Sequence, residues 1–335
     1  MKTLFKIAAA SVLAGAFLLG SCGGATQTSE DAAPRKMVVG YFMTHGADSY
    51  KPDYEKLTHI CLAFAHMRGD GHLYADDIAN AGQVIKDAHA NGVKVIISLR
   101  DADNVSAALA DTTLRHQLVA ETRAAVEKYG VDGVDVDYEE WGGDDNSKRE
   151  NLEAFYVELR EALPGKLLTA AVRASTSDDG LNKASMYEHL DYVFPMIYDA
   201  CGGWGGMSWG KVGQHSSNEF FDKAIAYFVD SIGVPKEKIC PGVPFYGYEF
   251  VSDTTTAGVD ARVYKDILAA HPEVDAHLTD SIGLLWYNGV PTMKRKAQEV
   301  MDKGLAGIMI WEISQDTDDP SRSLLSAIHT TFNPE

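Results

Sequence analysis

Residues 132–139 read Asp132-Gly133-Val134-Asp135-Val136-Asp137-Tyr138-Glu139. A β-strand sends successive side chains to opposite faces. Asp135, Asp137 and Glu139 therefore share one face, while Val134, Val136 and Tyr138 share the other. The acidic face can lie in solvent on an outer strand, or it can point into a barrel whose helices cover the apolar face. Carboxylates about 6.6 Å apart along a strand cannot all ionise cheaply in a poorly solvated interior. Proton sharing should raise at least one pKa there, and a carboxyl kept protonated near neutral pH can serve as a general acid. Glu139 is the longest of the three and stands last, nearest the C-terminal rim where barrel active sites lie. Glu140 points to the opposite face and reads as structural.

Outward from this run, short apolar segments rich in β-branched residues recur at 37–43, 58–65, 93–99, 167–173, 191–198, 239–245 and 307–313. Helical spacing fills most of the intervals, at about 76–90, 103–128, 147–163, 218–230, 258–270 and 291–303. In 147–163, for example, Leu152, Phe155, Tyr156, Leu159 and Leu163 fall on one stripe. Eight strands separated by helices predict an α/β chain folded as a single TIM (β/α)8 barrel. The open, doubly wound alternative would carry a dinucleotide fingerprint, and no GxGxxG follows the first strand. No repeat or internal linker divides residues 36–335, which read as one catalytic barrel.

Charge and composition narrow the partners. Thirty Lys+Arg against 48 Asp+Glu give a formal charge of -18, which argues against nucleic-acid binding, since that needs a basic face. Hydrophobic content of 45% with 23% charged residues excludes wholesale disorder. At the N-terminus, Lys2 and Lys6 precede an apolar run from Ile7 to Leu19. That run is shorter than the ~20 residues a bilayer core requires, but it fits a secretory signal. It ends Leu19-Gly20-Ser21-Cys22, which resembles the lipobox of bacterial lipoproteins. Residues 1–21 are therefore expected to be a lipoprotein signal peptide, with Cys22 acylated and 22–35 a flexible linker. This attaches the protein to a membrane without spanning it. Gly23, in place of an Asp, points to the outer membrane, on its periplasmic or surface face. Cys61, Cys201 and Cys240 lie far apart without CxxC spacing, so at most one disulfide and no zinc site are expected. The 11 His show no HExxH spacing, and neither metal nor organic cofactor is implied.

The run Asp132 to Glu139 resembles the DGxDxDxE signature of glycoside hydrolase family 18, the chitinases and endo-β-N-acetylglucosaminidases. Further segments resemble that family in chain order: Gly40-Tyr41-Phe42, Ala63-Phe64-Ala65, Met196-Ile197-Tyr198-Asp199, the Gly-rich loop holding Trp204, Gly242-Val243-Pro244-Phe245-Tyr246-Gly247, and Gly307-Ile308-Met309-Ile310-Trp311 with Asp316. The resemblance spans about residues 37–316. It implies that Glu139 protonates the glycosidic oxygen and later activates water. Asp137 would hold the substrate acetamido group, Asp135 would tune Asp137 and Tyr198 would bond the acetamido oxygen. Trp311 would stack under the reacting sugar. Tyr41, Phe64, Met196, Asp199 and Tyr246 would line that subsite, with Trp204 and Trp141 as further stacking candidates. The implied partner is an oligo- or polysaccharide containing N-acetylglucosamine, either chitin or an N-glycan core. A non-catalytic relative would typically have lost the terminal Glu, which is present here.

Two departures stand out. Ser98-Leu99-Arg100-Asp101 replaces the SxGG that usually ends the family's third strand, and Tyr248 stands where many members have Arg. Only about 60 residues separate the seventh and eighth strands, which predicts no large α+β insertion and a shallower groove.

Overall fold

A computed structural model describes residues 35–46, 49–140, 146–178, 182–203 and 211–334. Its frame is eight parallel strands: β1 (Met37–Met43), β2 (His59–Met67), β3 (Lys94–Asp101), β4 (Gly133–Asp137), β5 (Leu167–Arg173), β6 (Tyr192–Met196), β7 (Gly242–Pro244) and β8 (Gly307–Trp311). They pair in the order β6-β5-β4-β3-β2-β1-β8-β7. The cylinder closes between β6 and the entry to β7, where Val193 and Ile239 form a parallel bridge and Cys240 N–H donates to Val193 O at 2.9 Å. This is the (β/α)8 barrel that the alternation of strands and helices predicts.

Period-2 patterning sorts the residues into two cores. Val38, Phe42, Ile60, Leu62, Val95, Ile97, Val134, Val136, Leu168 and Ile310 pack outward in one buried cluster with the helices. Val39, Tyr41, Cys61, Ala63, Ile96, Ala171, Phe194, Cys240 and Met309 fill the inside. Full burial of each large aliphatic chain contributes about 1.5–3 kcal/mol, and the outer layer therefore helps offset the cost of turning carboxylates inward. Cys61 is a buried interior hydrophobe, as its setting in the sequence predicts, and Cys61, Cys201 and Cys240 are all free thiols.

The first two signature residues have structural work. Asp132 Oδ2 accepts from Val95 N at 2.7 Å and from the His89 ring at 2.9 Å, which pins the start of β4 to β3. A Cβ on Gly133 would stand 2.3 Å from Leu167 O, so only glycine lets β4 and β5 approach there.

Several element boundaries differ from the sequence reading. The pattern at 103–128 is two helices, Val105–Ala110 and Thr112–Tyr129, broken at Asp111. The Asp111 carboxylate caps the second helix by accepting from Thr113 N and Leu114 N. Residues 260–263, expected to be helical, form a strand, and the helix begins at Tyr264. A final helix, Leu324–Phe332, had no counterpart in the pattern. Asp316 anchors its start by accepting from Ser323 Oγ (2.7 Å), Leu324 N (3.1 Å) and Leu325 N (2.9 Å). Asp316 is thus a helix anchor rather than a site residue.

Between β7 and β8 the described residues hold no large insertion, as expected. They do hold a small antiparallel sheet of Tyr246–Glu249, Asp260–Val263, Ser281–Ile282 and Leu285–Trp286, with the helix Tyr264–Ala270. Ala261 and Val263 of this sheet line one side of the cleft. Among the described residues no helix is long and apolar enough to cross a membrane.

Candidate active site

The barrel opens at the C-terminal ends of its strands into a cleft of about 740 Å³. Asp137, Glu139, Tyr198 and Asp199 line it, with Tyr41, Met196, Tyr246 and Trp311 from other strand ends. Ala261 and Val263 of the small sheet, with Val259 just before it, form one wall.

β4 ends at Asp137, so Glu139 stands two residues beyond the strand rather than within it. The chain there is held by Asp101, whose Oδ1 accepts the Glu139 backbone N–H at 2.8 Å. Glu140 turns away and accepts from Ser106 N at 3.1 Å, the structural role expected of it.

The three acidic groups sit in different surroundings. Asp135 is fully buried and accepts three hydroxyls: Tyr41 at 2.6 Å, Ser98 at 2.7 Å and Thr169 at 2.7 Å. Burial raises its pKa, and those bonds to the anion pull the other way. Asp137, 3% exposed, has no hydroxyl collar. Burial, then the charges of Glu139 and Asp135, push its carboxyl well above the usual carboxylate range, against the pull of Arg100. Its Oδ1 is buried and has no hydrogen-bond partner among the described residues. A buried oxygen left bare is unusual, and Asp137 is one of the residues that line the cleft.

Glu139 is also raised. Burial is the largest cause and Asp101 and Asp199 add to it, whereas Arg100 and a hydrogen bond with Asp137 act in the opposite direction. Asp137 and Glu139 share one environment and titrate together. The strongest upward push in the trio falls on Asp137.

Tyr198 is buried at the cleft floor, its hydroxyl contacting Met309 Sδ at 3.9 Å, a weak acceptor. The backbone at Gly242 makes room for that ring. A Cβ there would lie 2.9 Å from Tyr198 Cε1 and 2.7 Å from Met309 Cε. Asp199 follows in a left-handed conformation, φ 61°, which is uncommon for a residue with a side chain. Its Oδ1 accepts from the Tyr246 hydroxyl and from Tyr248 Oη at 3.0 Å. His215, fully buried, holds the strained segment: its Nδ1 accepts Asp199 N–H at 3.3 Å and its Nε2 contacts Tyr246 O at 3.2 Å. This pattern places the ring proton on Nε2.

Trp311 stacks on Phe64 with centroids 5.7 Å apart and planes 20° apart, and leans on Tyr41 at 5.5 Å. Phe64, expected to line the subsite, instead lies buried behind Trp311 and supports it. Trp141 and Trp204, the remaining stacking candidates, lie outside the described residues, as does Cys22.

The sequence reading passed over Arg100, Asp101, Ser98, Thr169 and His215 as site residues. Ser98 and Arg100 alternate inward with Ile96, and Thr169 does so with Ala171, so the period-2 rule applied to β3 and β5 would have found them. His215 follows a Gly-rich loop and carries no local signal.

No group of three His, Cys, Asp or Glu among the described residues is placed to hold a metal ion. The chemistry available is that of carboxyls, tyrosine hydroxyls and a tryptophan face on a parallel barrel, an arrangement suited to acid-assisted cleavage of a sugar. The model of glycosyl hydrolases family 18 matches residues 37–316, and the chain belongs to that family.

Among solved structures, a chitinase from Bacteroides thetaiotaomicron is 29% identical, with 90% of this chain and 97% of that one covered and a TM-score of 0.79. The GH18 chitinase ChiB from the chitin utilization locus of Flavobacterium johnsoniae is 30% identical, with 89% and 94% covered and a TM-score of 0.76. Among curated proteins, probable chitinase 2 of Drosophila melanogaster is 26% identical, with 64% of this chain and 53% of that protein covered. Endochitinase 1 of Metarhizium robertsii is 24% identical, with 83% of this chain and 79% of that protein covered. The chain thus spans about half the length of the first of these relatives.

Proposed function

We propose that the protein hydrolyses β-1,4 glycosidic bonds that follow N-acetylglucosamine, in chitin or chito-oligosaccharides, with retention of configuration and with the substrate's own N-acetyl group as nucleophile. The observation that carries this reading is the bare, buried Oδ1 of Asp137 beside Glu139 in one cleft. An acceptor in that position suits an acetamido N–H. A retaining enzyme that used a protein carboxylate as nucleophile would have no need of such a partner. The relatives named as chitinases support the substrate class.

In this reading Glu139 donates its proton to the glycosidic oxygen as the bond to the anomeric carbon breaks. The acetamido carbonyl oxygen attacks that carbon from the opposite face, and the leaving sugar departs as an alcohol. Asp137 accepts the acetamido N–H and offsets the positive charge that develops on the ring. Asp135, fixed by Tyr41, Ser98 and Thr169, holds Asp137 from below. Tyr198 Oη donates to the acetamido oxygen and aligns it, and Trp311 packs against the apolar face of the sugar. Glu139, now a carboxylate, takes a proton from water, which attacks the anomeric carbon and restores the acetamide. Two inversions give net retention.

Glu139→Gln is expected to lower kcat on chito-oligosaccharides by about 10²–10⁴-fold while fold and sugar binding persist, as read by circular dichroism and calorimetric titration. In the same assay, substrates with a free amine at the reacting sugar should resist the wild-type protein. An unchanged rate in the variant would remove Glu139 as the acid, and efficient cleavage of the deacetylated sugars would exclude N-acetyl participation.

We further infer from the charged, apolar and Cys22-terminated leader that the chain is exported and lipid-anchored, with the barrel held off the outer membrane by residues 22–35.

A further inference from the structure

Arg100 plays no part in the reaction just described, yet it touches the acid. It extends from the end of β3 with Nη2 3.1 Å from Glu139 Oε2. Its Cζ lies 5.2 Å from the Phe64 ring centroid, and Phe64 in turn stacks on Trp311. The guanidinium therefore bridges the acid and the aromatic pair under the sugar site. Both partners are about a third exposed, 36% for Arg100 and 31% for Glu139, so the pair lies at the cleft surface where a sugar would enter.

We propose that Arg100 is a positioning residue for Glu139, clamping the carboxylate in the sugar-free cleft and releasing it when a sugar occupies the site. The inference rests on reading Glu139 as the acid. The clamp and the donating state compete, because an N–H from the Arg100 cation favours the carboxylate form of Glu139, whereas donation to a glycosidic oxygen needs the protonated form.

The charged and titratable groups around Glu139 come from several elements: Arg100 and Asp101 of β3, Asp137 of β4, and Tyr198 and Asp199 after β6, with Arg173 of β5 lining the same cleft. Arg100 is the cation that hydrogen-bonds Glu139, and it holds the Glu139 pKa down against burial and the acids. Its removal therefore raises that pKa in the free protein. The pH dependence of kcat/KM reports the free enzyme and that of kcat the loaded one. A clamp released on binding predicts different effects on the two.

The test compares wild type, Arg100→Ala and Arg100→Lys on a soluble chito-oligosaccharide. In Arg100→Ala the alkaline limb of kcat/KM should move to higher pH, leaving kcat/KM on that side roughly two- to fivefold above wild type, the scale of an exposed ion pair. The alkaline limb of kcat should stay in place. Arg100→Lys, which keeps the charge without the planar fork, should return part of the way. Superimposable profiles in all three proteins, or equal movement of both limbs, would overturn the proposal. The carboxyl resonance of Glu139, followed by NMR titration without substrate, supplies a readout independent of turnover. It should titrate at higher pH in Arg100→Ala, and an unchanged titration also sinks the clamp. A wild type that cleaves nothing would count against the hydrolase reading while leaving this titration to judge Arg100.

Discussion

Asp135 and Asp137 face the same way two residues apart on one strand, yet their neighbours give them different tasks. Asp135 spends its lone pairs on three hydroxyls. Asp137 keeps one oxygen bare and has its pKa pushed well up by burial and by adjacent acids. With the folded value above the free one, the folded chain holds a proton that the unfolded chain releases. The stability tied to Asp137 is therefore present at low pH and is lost as pH rises through the folded value. Asparagine carries no charge at any pH. Asp137→Asn is accordingly expected to melt close to wild type near pH 5 and several degrees above it near pH 8, as scanning calorimetry across that range would show. A gap that stayed constant with pH would mean that Asp137 is not held protonated. Activity should fall in the same variant, because an amide, unlike a carboxyl, cannot give up a proton and become an anion as positive charge develops on the ring.

At the scale of elements, the site depends on a helix that never reaches it. Lys296, in the helix Val290–Lys303, is fully buried. Its Nζ donates to Ser216 O, Ser216 Oγ and Asn288 Oδ1, each at 2.7 Å. Burial pushes this lysine down to about 7, while three oxygen acceptors suit its ammonium form. Ser216 Oγ donates onward to Ile197 O at 2.6 Å, beside Tyr198, and Ser216 follows His215, which steadies Asp199. Lys296→Met keeps the length and the packing but removes these bonds. It is expected to cost about 1–3 kcal/mol and to lower kcat more than it raises KM, because it loosens Tyr198 and Asp199 rather than the sugar platform. Chemical denaturation together with steady-state kinetics measures both effects. Unchanged stability would show that Ser216 is held by its other bonds alone.

At the scale of the whole molecule, the first residues differ in character from the rest of the chain. Residues 1–21 hold two lysines and no acid, whereas the complete chain carries a formal charge of -18. An acidic surface suits a neutral glycan and repels nucleic acid. If Cys22 carries the lipid, Cys22→Ser expressed in a bacterium should leave the membrane fraction or remain unprocessed, and metabolic labelling with a fatty acid should no longer mark it. Labelling that persisted in the variant would remove Cys22 as the anchor point. The barrel's own activity on soluble substrates should be unaffected.

Much of the architecture was readable from residues near each other in the chain. Alternation along each strand separates the residues that meet helices from those that fill the cylinder, and the eight-fold recurrence of such runs implies closure. The same rule placed Asp135, Asp137 and Glu139 on one side, because side-chain direction is a local property of extended backbone. Where local pattern failed, longer contacts had decided. Residues 260–263 pair with 246–249 and so became a strand, and Phe64 is covered because Trp311, far along the chain, stacks on it. Electrostatic roles were least legible, since the burial of Glu139 and the approach of Arg100, Asp101 and Asp199 from other elements, which together set its acidity, exist only in the folded chain. Which side chains could do acid chemistry was written in one strand. Which of them is bare, which is clamped and what walls the cleft came from tertiary packing, because field and burial depend on distance through space, not along the chain.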